Sequence, residues 1–279
     1  MTQRITGRSA FIALMKDEGI THLFGNPGTT ELPIMHALTD HRDMTFVLGL
    51  QEAIVVAMAD GFSRASGQLV ACNVHVAPGL GNAMGSLFNA AFTSTPMILT
   101  AGQQEQGFGL MQPNLYGPLV RMAEPLVKWA VEVNRLQDLP RIIRRAAKIA
   151  TTPPTGPVFI SLPGDILNQE DEIDLGQSTR VLTRSVPSSE HVAGLADLIL
   201  AAERPVLVCG DELVRSFAVM SWCARMRWRK RRGSRRCWAR RPISRRVPTA
   251  RISCPSMLAT WVLCRSGRRW SGRRSKPTT

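Results

Sequence analysis

Apolar and polar positions along residues 4–210 follow two periods that succeed one another in turn. Over residues 6–18 the apolar side chains Ala10, Phe11, Leu14 and Met15 recur at the spacing of one helix face, and Gly19 follows as a C-cap. Residues 21–24 read as a short strand that runs into the turn Gly25-Asn26-Pro27-Gly28. The pattern then predicts a helix over 31–38, a strand over 44–48 and a helix over 52–65, with Ile54, Val55, Met58 and Phe62 on related faces. It predicts a strand over 69–76, a helix of many small residues over 80–92, a strand over 97–101, a helix over 136–150 and a strand over 158–162. Repeated strand–helix units imply an α/β fold, a doubly wound parallel sheet with helices on both faces. Ligands of such sheets sit at the C-terminal strand ends. Those ends are the 25–28 turn, the 49–52 junction and the 75–81 loop.

The stretch 164–189, with Asn168-Gln169-Glu170-Asp171-Glu172, is polar and reads as a linker. A helix over 188–203 and a strand over 206–209 follow, ending in Gly210-Asp211, like the first unit of a second α/β domain. The expected organisation is a first domain over 1–165, a linker over 166–187, the start of a central domain over 188–215 and an irregular basic tail over 216–279.

Charge changes the picture at that last boundary. The net charge is +14, yet 19 of the 35 basic residues lie from Ser216 onward and no Asp or Glu follows Glu212. The first 215 residues therefore hold 16 basic and 21 acidic side chains, a mildly acidic body. Five of the six Trp and four of the six Cys also lie in the tail, as Cys223, Cys237, Cys254 and Cys264, leaving Cys72 and Cys209 in the body. No Cys-x-x-Cys pair occurs, so no zinc site is expected. No apolar run reaches the roughly 18 residues of a membrane span. The N-terminal apolar patch is broken by Lys16, Asp17 and Glu18 without a small-residue cleavage site, so the expected location is cytoplasmic.

The three strand ends carry unusual residues. Glu52 opens an otherwise apolar helix. A carboxylate there is favoured by the helix macrodipole whatever its job, and in a dry cleft it can also serve as a general acid or base. Gly25-Asn26-Pro27-Gly28 can be a plain turn, or a place where backbone approaches a flat ligand closely. His75 at a strand end can be a structural hydrogen-bonding residue or a catalytic one. The glycine spacing from Gly79 to Gly85 is not the dinucleotide fingerprint, and neither a phosphate-binding Walker loop nor a Gly-x-Ser-x-Gly elbow is present.

Taken together the segments are more specific. FGNPGTTELP (24–33), LQEAIVVAMADGFSRASG (50–67), NVHVAPGLGNAMGSLFNAAFTSTPMILTAGQQ (73–104) and EPLVKWAVEV (124–133) resemble, in order and spacing, the thiamine diphosphate-dependent decarboxylases of the benzoylformate decarboxylase type. Acetolactate synthases share the pattern less closely. The resemblance covers residues 4–210 and implies an N-terminal domain that binds the aminopyrimidine half of thiamine diphosphate. It implies that Glu52 bonds the pyrimidine ring nitrogen and favours the imino tautomer, which generates the carbanion that attacks a 2-oxo acid. It implies cofactor contacts for Asn26, Pro27, Gly28 and Asn82, substrate contacts for Thr29 and Glu31, and for His75 both a substrate contact and a catalytic proton-transfer role. Departures are Ala57, where glycine is usual, Val76 and Pro78 after His75, and Thr29 in place of a serine.

The same resemblance implies a diphosphate-binding domain that holds the cofactor through Mg2+, and no segment here matches its ligands. The chain is thus expected to be a truncated member, inactive alone, needing a homo-oligomer or a partner chain to complete its site. Alternatives are an acetolactate synthase-like carboligase fragment, the pyrimidine-domain subunit of a split enzyme, or a nucleic-acid binder acting through the tail. A frameshift after Arg215 is the favoured reading of the tail, because acidic residues vanish and Arg, Trp and Cys rise together there. Neither nucleic acid nor membrane is expected as a partner.

Overall fold

The computed structural model describes residues 2–179 and 186–203. The chain divides into two units, 1–185 and 186–279. In the first unit the elements run β1 (Thr2–Thr6), α1 (Gly7–Asp17), β2 (His22–Gly25), α2 (Leu32–Leu38), β3 (Thr45–Leu48), α3 (Glu52–Ser66), β4 (Val70–Val74) and α4 (Val76–Phe92). They continue with β5 (Met97–Gln103), α5 (Leu119–Ala123), β6 (Ala130–Glu132), α6 (Leu139–Thr151), β7 (Pro157–Pro163), α7 (Gly164–Asn168) and β8 (Glu170–Asp174). Of the second unit, α8 (Ser189–Ala201) is described. Its N-cap Ser188 accepts a hydrogen bond from the His191 N–H. The strand expected over 206–209 and the tail over 216–279 lie outside the described residues.

Six strands form one parallel sheet in the order β3-β2-β4-β5-β7-β6. Helices cover both faces, so the central strands are apolar on both sides. On one face Phe11 and Leu14 of α1, Ile34 of α2 and Ile143 of α6 pack over Ala71, Ile98 and Ile160. On the other, Val55 and Val56 of α3, Leu80 and Leu87 of α4 and Leu119 of α5 pack over Val70, Cys72, Val74 and Leu99. The side-chain alternation of each strand sorts neighbouring residues into different cores. Burying Phe11 and Leu14 fully is worth about 1.5–3 kcal/mol each.

The strand order places the site. From β2 the chain passes to β3 on one side, then returns to β4 on the other. α2 lies on the first face and α4 on the second, so the connections leaving β2 and β4 diverge and a crevice opens between the two strand ends. The turn after β2, the start of α3 and the β4–α4 corner all border it.

Two segments take a form other than the one the sequence predicts for them. α4 begins at Val76, four residues earlier than predicted, so the expected 75–81 loop is helical from its second residue. Pro78 and Gly79 look like breakers, but proline is tolerated in a first turn, where its missing N–H would have no partner anyway. Entry into this helix requires a left-handed backbone at Val76 (φ +40°), a fully buried β-branched residue. Second, the polar run 168–172, expected to be linker, ends α7 and forms most of β8, which pairs antiparallel with β1 and adds an Arg4–Glu170 ion pair. Arg144 of α6 secures the same region. Its guanidinium bonds Asp17 and Glu18 at the C-terminal end of α1, and also the carbonyls of Leu175 and Gly176 just after β8. No helix among the described residues is long and apolar enough to cross a membrane.

Candidate active site

Glu52 stands at the first position of α3, where β3 has ended and Gln51 caps the helix by accepting from the Ile54 N–H. The first-turn position sets its carboxylate against the positive end of the helix. It is buried, and each oxygen has one amide donor. Asn26 Nδ2, from the turn after β2, donates to Oε1 at 3.1 Å, and Asn82 Nδ2, from α4, donates to Oε2 at 3.0 Å. Gly79 backs the carboxylate so closely that a Cβ there would lie 3.1 Å from Oε1. Three elements from different parts of the chain thus hold one carboxylate at the crevice. The adjacent Leu50 is 86% exposed, an apolar rim beside it.

A second cluster lies beside the first, built on the same two corners. Glu31 closes a 3-10 turn after β2 and is fully buried. Removing a carboxylate from water costs several kcal/mol unless it is fully hydrogen-bonded. Here four groups converge on it. The Gly28 N–H donates to Oε2 at 2.8 Å and the Gly102 N–H, from β5, to Oε1 at 3.0 Å. The Thr30 hydroxyl donates to Oε1 at 2.7 Å, and His75 Nδ1 lies 2.7 Å from Oε2. Thr30 Oγ1 is also 3.2 Å from His75 Nδ1. The imidazole packs so tightly on Gly28 that a Cβ there would fall 2.3 Å from the ring. Gly102 is equally constrained, since its Cβ would lie 2.1 Å from Glu31 Oε1.

The two clusters are joined through the backbone. Asn26 and Gly28 share one turn, and the His75 carbonyl accepts the N–H of Gly79 at 2.8 Å. Of the residues singled out by sequence, Asn26, Glu52 and Asn82 meet in one cluster, and Gly28, Glu31 and His75 in the other. Pro27 lies half-buried in the turn between them. Thr29 is exposed and lines a cleft of about 370 Å³ with Pro33, Gln104, Phe108 and Pro113. Thr30 and Gly102 complete the Glu31 cluster and carry no signal of their own in the sequence. Cys72, on β4, is buried and its thiol is pushed up by desolvation, so it is no nucleophile.

A buried carboxylate, two amides and a histidine thus meet at the crevice of a doubly wound sheet, the place where ligands of such sheets sit. Residues 5–113 match the model of the thiamine pyrophosphate enzyme N-terminal TPP binding domain, thiamine pyrophosphate being thiamine diphosphate. Benzoylformate decarboxylase of Pseudomonas aeruginosa is 36% identical over 213 residues, covering 75% of this chain and 40% of that protein. The acetolactate synthase isozyme 3 large subunit of Escherichia coli is 29% identical over 216 residues, covering 75% of this chain and 37% of that protein. The crystal structure of benzoylformate decarboxylase from Polynucleobacter necessarius superposes with a TM-score of 0.70 at 39% identity, covering 78% of this chain and 41% of that one. Residues 5–113 carry the N-terminal cofactor-binding domain of the thiamine diphosphate-dependent enzyme family. The chain spans about two fifths of the length of these relatives.

Proposed function

We propose that the crevice binds the aminopyrimidine of thiamine diphosphate, with Glu52 bonding a pyrimidine ring nitrogen and Asn26 and Asn82 fixing the carboxylate. The observation that carries this reading is Glu52 itself, buried at a helix N-terminus with one amide on each oxygen. The cradle fits such a ring. Gly79 leaves no side chain between α4 and the carboxylate, and Leu50 offers an apolar edge. When bound, the cofactor supplies an electron sink for decarboxylation of a 2-oxo acid. Glu52 holds and exchanges a proton at the ring nitrogen; glutamine at this position would keep the shape and lose the exchange. His75 gives or takes a proton on the substrate side of the crevice. Pro27 and Gly28 shape the wall, and Thr29 presents its hydroxyl toward a substrate carboxylate. The substrate class is a small 2-oxo acid of the benzoylformate type.

In this reading the diphosphate and its Mg2+ are held by a partner chain, in a homo-oligomer or as a separate polypeptide. The domain organisation goes with it: a pyrimidine-binding domain over 1–165 followed by the start of a central domain.

The test is a titration of the full chain with thiamine diphosphate and Mg2+, followed by amide chemical shifts and calorimetry. Shifts confined to residues 26–31, 49–52 and 75–82 are expected, with Glu52→Ala binding roughly tenfold or more weaker, about 1.4 kcal/mol. A shift map centred elsewhere, or a Glu52→Ala chain that binds like the wild type, would overturn the assignment.

A further inference from the structure

We infer that Thr30 is a positioning residue which, with Glu31, keeps the His75 proton on Nδ1 and presents Nε2 bare to the crevice. This rests on the reading of His75 as the proton-transfer group. It adds which nitrogen reacts and what selects it.

Donors and acceptors settle the direction of each bond. The Gly28 and Gly102 N–H groups can only donate, and each is committed to a different oxygen of Glu31. The Thr30 hydroxyl, 2.7 Å from Oε1, adds a third donor. A buried carboxyl that already accepts three hydrogen bonds is suited to accept a fourth, so the 2.7 Å contact to His75 has its hydrogen on Nδ1. With its own hydrogen turned to Glu31, Thr30 Oγ1 offers only lone pairs to His75 Nδ1 at 3.2 Å. It is therefore a second acceptor for the same N–H, and a bare Nδ1 would face oxygen lone pairs on two sides. The opposite tautomer is penalised by Thr30 as well as by Glu31. Nε2 remains as the lone-pair atom, on a side chain 22% exposed.

The ring has little freedom to evade this arrangement. Gly28 packs against it, and Val76, the residue after it, is fully buried with a left-handed backbone. Thr30 touches neither cofactor nor substrate in this scheme; it acts through His75.

The experiment is long-range 1H–15N correlation of the imidazoles in the full chain, at a pH where His75 is neutral. The five histidines are resolved by comparison with a His75→Gln spectrum. A protonated Nδ1 and a bare Nε2 are expected in the wild type. Thr30→Ser keeps that pattern. Thr30→Val and Thr30→Ala lose part of the Nδ1–H population to the Nε2–H form, with backbone amide spectra otherwise unchanged. A wild-type His75 protonated on Nε2 overturns the proposal, whether or not any variant folds. So does a folded Thr30→Val or Thr30→Ala chain whose tautomer matches the wild type. The readout needs no bound cofactor, so its failure leaves the thiamine diphosphate assignment standing, and failure of the cofactor to bind leaves this result interpretable.

Discussion

Glu31 carries a charge-bearing group into a place no water reaches, and the surrounding residues are shaped to its two oxygens. The tolerance for change around it is small. Gly102→Ala would drive a methyl group to 2.1 Å from Oε1 and against the Thr30 hydroxyl, on a central strand that cannot retreat. The expected cost is about 3 kcal/mol or more, from overpacking and loss of hydrogen bonds to a buried carboxylate, measurable as a lowered urea midpoint. Glu52 is held differently, by two amides rather than by backbone, and Glu52→Gln should leave thermal stability within about 1 kcal/mol of the wild type. A much larger drop would mark Glu52 as a structural residue. Cys72 supplies a control for the fold. Its buried thiol, with ionisation pushed up by desolvation, should resist alkylation until the sheet opens. Peptide mapping after brief iodoacetamide treatment should find Cys72 unmodified in native protein and modified in urea.

The helices are the most legible elements in the sequence, because an apolar stripe every three to four residues suits a helix and neither a strand nor a loop. α1, α3 and α6 begin and end within a few residues of their expected bounds. Others are hidden for definite reasons. β1 and β8 are charged or polar along most of their length and pair only with each other, so neither shows the apolar signature of a buried strand. β6 has three residues, too few for any period. α4 reads as starting late because Pro78 and Gly79 have the character of breakers, when a first turn accepts both. The site is legible where a residue stands out at a strand end, as Asn26, Glu52 and His75 do. Gly102 is not, since its contact with Glu31 spans 71 residues and lies inside an ordinary apolar strand. Thr30 is masked by its neighbours Thr29 and Glu31. The left-handed residue Val76 stores about 1–3 kcal/mol at the corner that presents His75. Elsewhere an element end is closed more conventionally. Lys128 donates to the Ile149 and Thr152 carbonyls at the C-terminus of α6. Lys128→Met should cost about 1 kcal/mol, read as a fall in Tm without change at the site.

On the scale of the whole first unit, Arg144 joins segments from opposite ends of the sequence. Its guanidinium reaches Asp17, Glu18 and two carbonyls after β8, and Glu18 in turn accepts from Ser178. Arg144→Met would leave the well-buried Glu18 without its cation. The expected loss is about 3 kcal/mol, accompanied by faster proteolysis within 175–179. Cleavage rates equal to those of the wild type would show that the segment is held by β1–β8 pairing instead.

The sheet order also governs how the site comes into being. β2 lies between β3 and β4, and its two ladders join stretches far apart along the chain. Such parallel, long-range pairings are slow to form. The three corners that carry Asn26, Glu52 and His75 come within reach of one another only after both ladders have closed. Alignment must also be correct to the residue. A slip of one position between β2 and β4 would move the β4 end about 3.3 Å and turn its side chains to the opposite face. His75 would then be out of reach of Glu31. Appearance of the His75–Glu31 hydrogen bond during refolding is therefore a direct timer for the moment at which the central strands find their register.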